Sequence, residues 1–353
     1  MKVAVITDMH FGVRSDSREF VEFFEKCYGD FIVPYLLEND IKVVFDLGDT
    51  FDRRKFLNLM TLRSSKKMWF DKLRDNNIEY HSLVGNHTIY YRNTNEVNTM
   101  DLVLEAYPNA IVYKDPTEIH MDGCDILMMP WINSTNSQHC FDMIRNTKCP
   151  VMFGHLEIKG FEMHKGVPSH EGYEPNLFDR FDVVASGHFH KKSSRGNIHY
   201  LGAPYEMTWS DYNCPRGFHI FDTKTREFEY IRNPFRMFHK VIYDDSAKME
   251  EPKFSHLKNT YVKVIVSNKQ DPYKFEKWME KLYDAKPLEV TIVDDNKNMD
   301  LVSDEDLAAE AEDTPTIISK YVSSLGKRVD PLQMNTLLQD LYREALDMEI
   351  ADG

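Results

Sequence analysis

The sequence predicts an α/β protein of two domains with a helical tail. Three observations carry this. Five short apolar runs read as buried strands: Lys2 to Thr7, Val43 to Leu47, Tyr80 to Val84, Val151 to Phe153 and Val183 to Ser186. Strand alternates with amphipathic helix up to Phe153. Each run ends directly in a polar motif: Asp8-Met9-His10, Gly48-Asp49, Gly85-Asn86-His87, Gly154-His155 and Gly187-His188-Phe189-His190. Functional groups in an α/β sheet gather at the carboxyl ends of strands, so five such ends point at one place.

The elements follow in order. From about Ser17 to Glu38, Phe20, Phe23, Phe24, Cys27 and Phe31 recur at helical spacing. This predicts a covering helix with an aromatic core stripe, ended or kinked by Pro34. Residues 58 to 77 give a second amphipathic helix through Leu59, Leu62, Met68, Trp69 and Leu73. Ile126 to Met129 adds a strand, with Pro130-Trp131 beyond it. Residues 155 to 180 are rich in Gly, Pro and His and read as a long loop, usually a functional feature. His164 and His170 in it read as surface histidines. Asn197 to Leu201, Gly217 to Asp222 and Glu227 to Ile231 read as antiparallel strands with a turn at Thr223-Lys224.

The pattern changes near residue 236. Thr260 to Ser267 alternates as a strand, Pro272 to Tyr283 is a helix carrying Phe275, Trp278, Met279 and Leu282, and Leu288 to Val293 is a further strand. The expected boundaries are 1–235, 236–295, a linker at 296–313 and a tail at 314–353. Residues 294 to 313 hold nine acids and one Lys. Such a segment is expected to be a flexible tether. Two short helices follow. The first has Pro315 near its start, Ile317, Ile318, Tyr321, Val322 and Leu325 as its stripe, and Gly326 as its stop. The second begins at Asp330-Pro331 and carries Leu337, Leu338, Leu341, Tyr342, Ala345 and Leu346. These stripes need cover, from the chain's own core or from a partner surface.

Composition narrows the class. Of 353 residues, 42% are hydrophobic and 12% aromatic, enough for a sizeable core. No stretch approaches 18 uncharged apolar residues, so no membrane span is expected. The N-terminus reads as a strand, without a signal-peptide apolar region. The five cysteines, 27, 124, 140, 149 and 214, form no Cys-x-x-Cys pair and read as free thiols in a reducing, cytoplasmic setting. The net charge of −14 argues against broad nucleic-acid contact, but more than half the excess lies in the 294–313 segment. Arg53-Arg54-Lys55 and Lys191, Lys192 and Arg195 follow two of the motifs. They are either solvated loop charges or phosphate-positioning groups.

The motifs supply carboxylate (Asp8, Asp49), amide (Asn86) and imidazole (His10, His155, His188, His190). Any one of them alone is weak, since a lone histidine after a strand is usually a satisfied loop residue. Five in order, each behind an apolar strand, point to a centre for two metal ions. The mixed donors suit Mn, Fe or Zn better than Ca or Mg. Two such ions bring four positive charges against two carboxylates, leaving attraction for an anionic phosphate.

This series resembles the calcineurin-like metallophosphoesterases. Gly48-Asp49-Thr50-Phe51-Asp52, Phe181-Asp182-Val183-Val184-Ala185-Ser186-Gly187-His188-Phe189-His190 and Tyr200-Leu201-Gly202-Ala203-Pro204-Tyr205 resemble its SbcD-type branch, the nuclease subunits of DNA double-strand-break repair and recombination complexes. The motif resemblance covers about residues 1 to 210. It implies a four-layer αββα sandwich, a small α/β capping domain touching DNA at 236–295, and a C-terminal helix-loop-helix that binds the coiled-coil base of an SMC-like ATPase. It implies one metal on Asp8, His10 and His190, another on Asn86, His155 and His188, and Asp49 bridging. Mn2+ is the first expectation for both ions and Mg2+ the alternative. His87 is then the general acid or a donor to the phosphoryl group. The implied activity is exonuclease and endonuclease cleavage of DNA ends and single-stranded DNA by a homodimer without membrane attachment. The competing functions are a phosphomonoesterase or small-molecule phosphodiesterase on the same fold, and a non-catalytic DNA-binding adaptor. Asp52 departs from archaeal and eukaryotic relatives, which carry histidine there. It is expected either to orient His87 or to be an ordinary turn residue.

Overall fold

The computed structural model describes residues 1–164, 167–246, 252–294, 322, 334–338 and 341. Its strands in chain order are β1 (Lys2–Ile6), β2 (Val43–Asp46), β3 (Glu79–Leu83), β4 (Ala110–Tyr113), β5 (Thr117–Met121), β6 (Cys124–Met129), β7 (Val151–His155), β8 (Glu162–His164), β9 (Val167–Pro168), β10 (Val183–Gly187), β11 (Ser193–Arg195), β12 (Ile198–Tyr200), β13 (Gly217–Asp222), β14 (Phe228–Arg232), β15 (Phe238–Asp244), β16 (Tyr261–Asn268) and β17 (Glu289–Asp294). One sheet has the order β14-β13-β1-β2-β3-β4 and a second β11-β12-β10-β7-β6-β5. Strands β1 to β4 are parallel neighbours, as are β6, β7, β10 and β12. The remaining strands of each sheet add antiparallel.

Side-chain alternation explains the layers. Val3 and Val5 pack with Ile126, Met128, Val151 and Phe153 between the sheets. Ala4 and Ile6, on the other face of the same strand, pack with Phe20, Phe24, Tyr28 and Trp69 of the helices. Leu127, Met152 and Val184 of the second sheet meet Cys140, Ile144 and Phe178. The motif strands read as continuous apolar runs because both faces are covered. The result is the expected αββα sandwich.

Several local expectations change. The first covering helix does not stop at Pro34. Arg18–Phe24 passes through a wide π-type stretch, Glu25–Ile32, into Val33–Glu38. Pro34 lies in the first turn of that last piece, where a missing N–H costs least. The second helix spans Leu59 to Asp75 in three pieces, capped by Asn58 Oδ1 accepting from Met60 N at 2.8 Å. Met68, Trp69 and Leu73 are buried, but Leu59, on the same expected apolar stripe, is 80% exposed. The 155–180 segment is not all loop: β8 and β9 pair within it, and Pro175–Phe178 forms a short turn that buries Phe178. His170 is exposed as expected, and the side chain of His164 lies outside the described residues.

The small α/β unit has one strand more than the sequence indicates, since β15 pairs parallel with β16. Its helix, Pro272–Asp284, is capped by Asp271 Oδ1, which accepts from Tyr273 N at 3.0 Å. Tyr243, Val262, Val264, Phe275, Trp278 and Leu282 form its own core. Phe238 and Tyr261 join it to the sandwich, packing on Trp209 and Phe20. The chain divides into Met1–Val293 and Asp294–Gly353. The linker at 296–313 and most of the tail lie outside the described residues. Residues 334–338 and 341 are helical, with Leu337 55% and Leu341 52% exposed. Among the described residues, no helix is long and apolar enough to cross a membrane.

Candidate metal centre

The five motifs meet at the carboxyl ends of β1, β2, β3, β7 and β10. The parallel ladder continues past the strands and aligns the first two turns. Leu47 N donates to Ile6 O at 2.9 Å, Asp8 N to Gly48 O at 3.0 Å, and His10 N to Asp49 O at 2.9 Å. Asp8, His10, Asp49 and His188 all take positive φ. Left-handed conformations in non-glycine residues cost about 1–3 kcal/mol each and cluster at functional sites. Gly48, at φ 101°, lets the β2 turn pass the His155 ring, since a Cβ there would lie 2.6 Å from His155 Nδ1. A Cβ at Gly85 would collide with the Asp49 carboxylate.

All eight expected residues are brought together, in interlocking groups. Asp8, His10 and His190 present ligand atoms within 4.8 Å of one another, and so do Asp49, His155 and His188. Asp8 Oδ1 accepts from His188 N at 3.0 Å, linking the two groups. His10 Nε2 and His190 Nε2 stand 3.1 Å apart. His155 Nδ1–H donates to Leu47 O at 2.7 Å, which fixes its tautomer and turns Nε2 toward Asp49 Oδ2 at 3.1 Å. Asn86 Oδ1 lies 2.9 Å from His155 Nε2 and 3.1 Å from His188 Nδ1. Asp49 lies between the groups: Oδ2 is 4.0 Å from His10 Nε2, and Oδ1 accepts from His87 N at 2.8 Å.

The electrostatics state what the cluster lacks. Burial pushes the Asp49 carboxyl up, but His155, His87 and His10 outweigh it and hold it well below its ordinary value. Burial pushes His10 down, yet its bond to Asp52 and the charges of Asp49, Asp52 and Asp8 raise it to about 9. His155 also rises to about 9 against its burial, through the charge and hydrogen bond of Asp49. Burial and the neighbouring His155 charge press His188 down to about 3. Buried carboxylates thus draw protons onto two imidazoles whose nitrogens face other ligand atoms. The facing pair His10 Nε2 and His190 Nε2 cannot both carry a proton at 3.1 Å. Divalent cations would supply the missing positive charge and use these lone pairs, so the donor set fits metal ions.

Asp52 holds two histidines, each by a different group. Its carboxylate accepts from His10 Nδ1–H at 3.1 Å, and its backbone carbonyl accepts from His87 Nδ1–H at 2.6 Å. The expectation that the Asp52 side chain orients His87 is therefore corrected: that side chain orients His10. His87 stands edge-on to the His10 ring, at 4.8 Å between centroids.

Other positioning residues escaped sequence reasoning. The Trp131 ring lies 5.1 Å from His188 and 6.0 Å from His155. Its signal was its place directly after the β6 strand end. Tyr205 Oη donates to Met9 O at 2.6 Å and braces the Asp8–His10 turn. Arg216, paired with Asp211, donates to His190 O and had no sequence signal. Of the basic residues beside the motifs, Arg53 pairs with Asp16 at 3.4 Å, Lys55 lies over Tyr90, and Lys191 pairs with Glu162.

Comparison with known proteins gives the family. Residues 1–192 match the family described as calcineurin-like phosphoesterase. Exonuclease subunit 1 of Enterobacteria phage T4 is 32% identical over 349 residues, covering 98% of this chain and 99% of that protein. The DNA double-strand break repair protein Mre11 of Methanocaldococcus jannaschii is 24% identical over 369 residues, covering 98% of this chain and 94% of that protein. Among solved structures, an archaeal phosphodiesterase is 13% identical and covers 66% of this chain and 99% of its own, with a TM-score of 0.34. With the family matched over more than half its length and a relative aligned nearly end to end, this chain belongs to the calcineurin-like phosphoesterases.

Proposed function

We propose that the chain is a two-metal DNA nuclease, with exonuclease and endonuclease action, serving as the nuclease subunit of an ATP-driven recombination and repair complex. The observation that carries this is the convergence of eight side chains from five strand ends, in a chain that aligns over its length with an exonuclease subunit. Asp8, His10 and His190 would hold one ion. Asn86, His155 and His188 would hold the other, and Asp49 would bridge. Bound divalent ions supply Lewis-acid charge and acidify water, with Mn2+ the first candidate and Mg2+ the second.

The chain's own residues supply the rest. Leu47 O and the Asp52 carboxylate fix the Nδ1–H of His155 and His10, so each presents Nε2 inward. His87 is tied at Nδ1 to Asp52 O, which leaves Nε2 to deliver a proton to the leaving oxygen. Trp131 covers the imidazoles on one side.

Two assembly features belong to the same proposal. The chain forms a homodimer through the helices after the second and third motifs, which expose Leu59 at 80% and Leu102 at 72%. The tail docks on an SMC-like ATPase, supported by the exposed Leu337 and Leu341. Leu338→Glu with Leu341→Glu should then abolish ATPase binding in calorimetry, and unchanged affinity would remove the docking role.

The deciding experiment is Mn2+-dependent digestion of duplex and single-stranded DNA beside a generic phosphomonoester. DNA cleavage with negligible monoester turnover is expected. Preference for the monoester would replace the nuclease with a phosphatase on the same fold.

A further inference from the structure

The chain has four tryptophans, and their surroundings differ. Trp69 and Trp278 are buried in apolar cores. Trp209 packs on Phe238 and carries Lys263 Nζ 4.3 Å from its ring. Trp131 stands at the metal centre, beyond the end of β6, and is only half-buried. Its ring centroid lies 5.1 Å from that of His188, at an interplanar angle of 45°, and 6.0 Å from that of His155, at 67°. Both imidazoles therefore meet the indole at a tilt. Among the described residues, no aromatic ring lies parallel on it.

The backbone of this residue is clamped at both of its polar groups. Trp131 N donates to Val84 O at 2.8 Å, at the β3 end that leads into Gly85-Asn86-His87. Trp131 O accepts from Asn95 Nδ2 at 2.9 Å and from Asn136 Nδ2 at 3.0 Å. The two clamping amides are themselves held. Asn133 Nδ2 donates to Asn95 Oδ1 at 2.9 Å, and Asn133 N donates to Asn136 Oδ1 at 2.8 Å. Asn95 and Asn133 are buried. A satisfied polar network of this kind makes the segment rigid. It holds a large, half-exposed π-face beside the ligand group of Asn86, His155 and His188. A fixed indole offers wide contact area at small entropic cost, which suits a recognition residue.

We propose that Trp131 is a specificity-determining residue: its indole stacks on the base of the nucleotide whose phosphate lies at the metal centre. The proposal rests on the nuclease reading and names the form of DNA that the site selects. An indole can stack on a base only where that base has left a neighbour in its own strand. The site therefore takes a scissile nucleotide that is single-stranded or frayed from its pair. Every base has a π-face, so this selection brings little preference for sequence. A phosphomonoester without a base gains nothing from Trp131.

The test is cleavage of a single-stranded oligonucleotide by the full-length, Mn2+-loaded chain, beside the same strand with one internal nucleotide made abasic. For each protein, kcat/KM at the phosphates flanking that position is taken as a ratio, intact over abasic. The parent ratio should be about 5 to 100, the size of one lost base–aromatic stack. Trp131→Ala and Trp131→Leu should bring it to about one, and Trp131→Phe should restore most of it. Bound Mn2+ by elemental analysis should match the parent in all three. A parent ratio of one overturns the proposal, and so does a parent-like ratio in Trp131→Leu. Loss of metal or of all cleavage in Trp131→Leu also overturns it, because the indole would then be a cover for the imidazoles. Trp131→Leu keeps an apolar side chain there and carries the test alone if Trp131→Ala fails to fold. If the parent leaves the intact strand uncut, the nuclease reading falls and this proposal with it. Cleavage with a ratio of one removes this proposal alone.

Discussion

The strand ends of the sandwich and the turns of the small α/β unit use the same backbone conformation for different ends. In the sandwich, left-handed φ falls on exposed turn residues such as Asp40 and Asn77 and also on Asp8, His10, Asp49 and His188, which are buried polar residues facing one another. In the small unit it falls on Asn259 and Lys286, in turns beside β16 and after the helix. The sandwich therefore places strained backbone and desolvated charge together, as a preorganised site does. The small unit places them apart, and its core of Tyr243, Phe275 and Trp278 is held by packing and by the Tyr243 hydroxyl donating to Asp245 at 3.0 Å. Stability and chemistry are separable in the second region and entangled in the first.

Four substitutions test that contrast, beginning with the largest effect. Asp49→Ala removes the carboxylate that faces both groups of ligands. It should abolish cleavage and bound metal together, and two ions per chain by elemental analysis in the variant would refute the ligand assignment. His87→Ser comes next. It should keep both metals and near-normal DNA affinity while turnover falls by about 10² to 10⁴, the usual size of a general acid contribution. Loss of metal, or retention of most activity, would each contradict that role.

Trp278→Ala probes the other region. Opening the small unit's core should cost about 3–5 kcal/mol of its stability, read as an earlier transition in thermal or urea melting. Metal content should stay constant, and a parallel loss of metal would show that the two regions are not separable. The smallest effect is a slope. His219 titrates near 3 when folded, below its ordinary 6.5, so between those values the unfolded chain binds a proton that the folded chain refuses. Stability should fall with acidification across that window, by up to about 1.4 kcal/mol per pH unit from this group. His219→Phe should flatten that part of the pH–stability curve relative to the parent, and an identical slope would mean that His219 titrates normally.

Much of this was legible without coordinates, and the reason is local. Strands buried on both faces must be apolar runs, and a site at their carboxyl ends must follow them directly, so Asp8, Asp49, Asn86, His155 and His188 announce themselves by position. The stripes of Phe20, Phe23 and Phe24 and of Phe275, Trp278 and Leu282 follow equally from helical period. Helix continuity through Pro34 was not legible, because the wide turns that accommodate it depend on packing around Cys27 and Tyr28. Nor was the exposure of Leu59, since periodicity finds an apolar face without saying what covers it. Tertiary structure alone decided that the Asp52 carboxylate reaches His10 while its carbonyl holds His87. It alone set Trp131 over the imidazoles and buried His219 against Tyr230. Sequence spacing fixes which residues share a strand or a turn. The partners of a buried polar atom are chosen by sheet register and by which turns the fold stacks together.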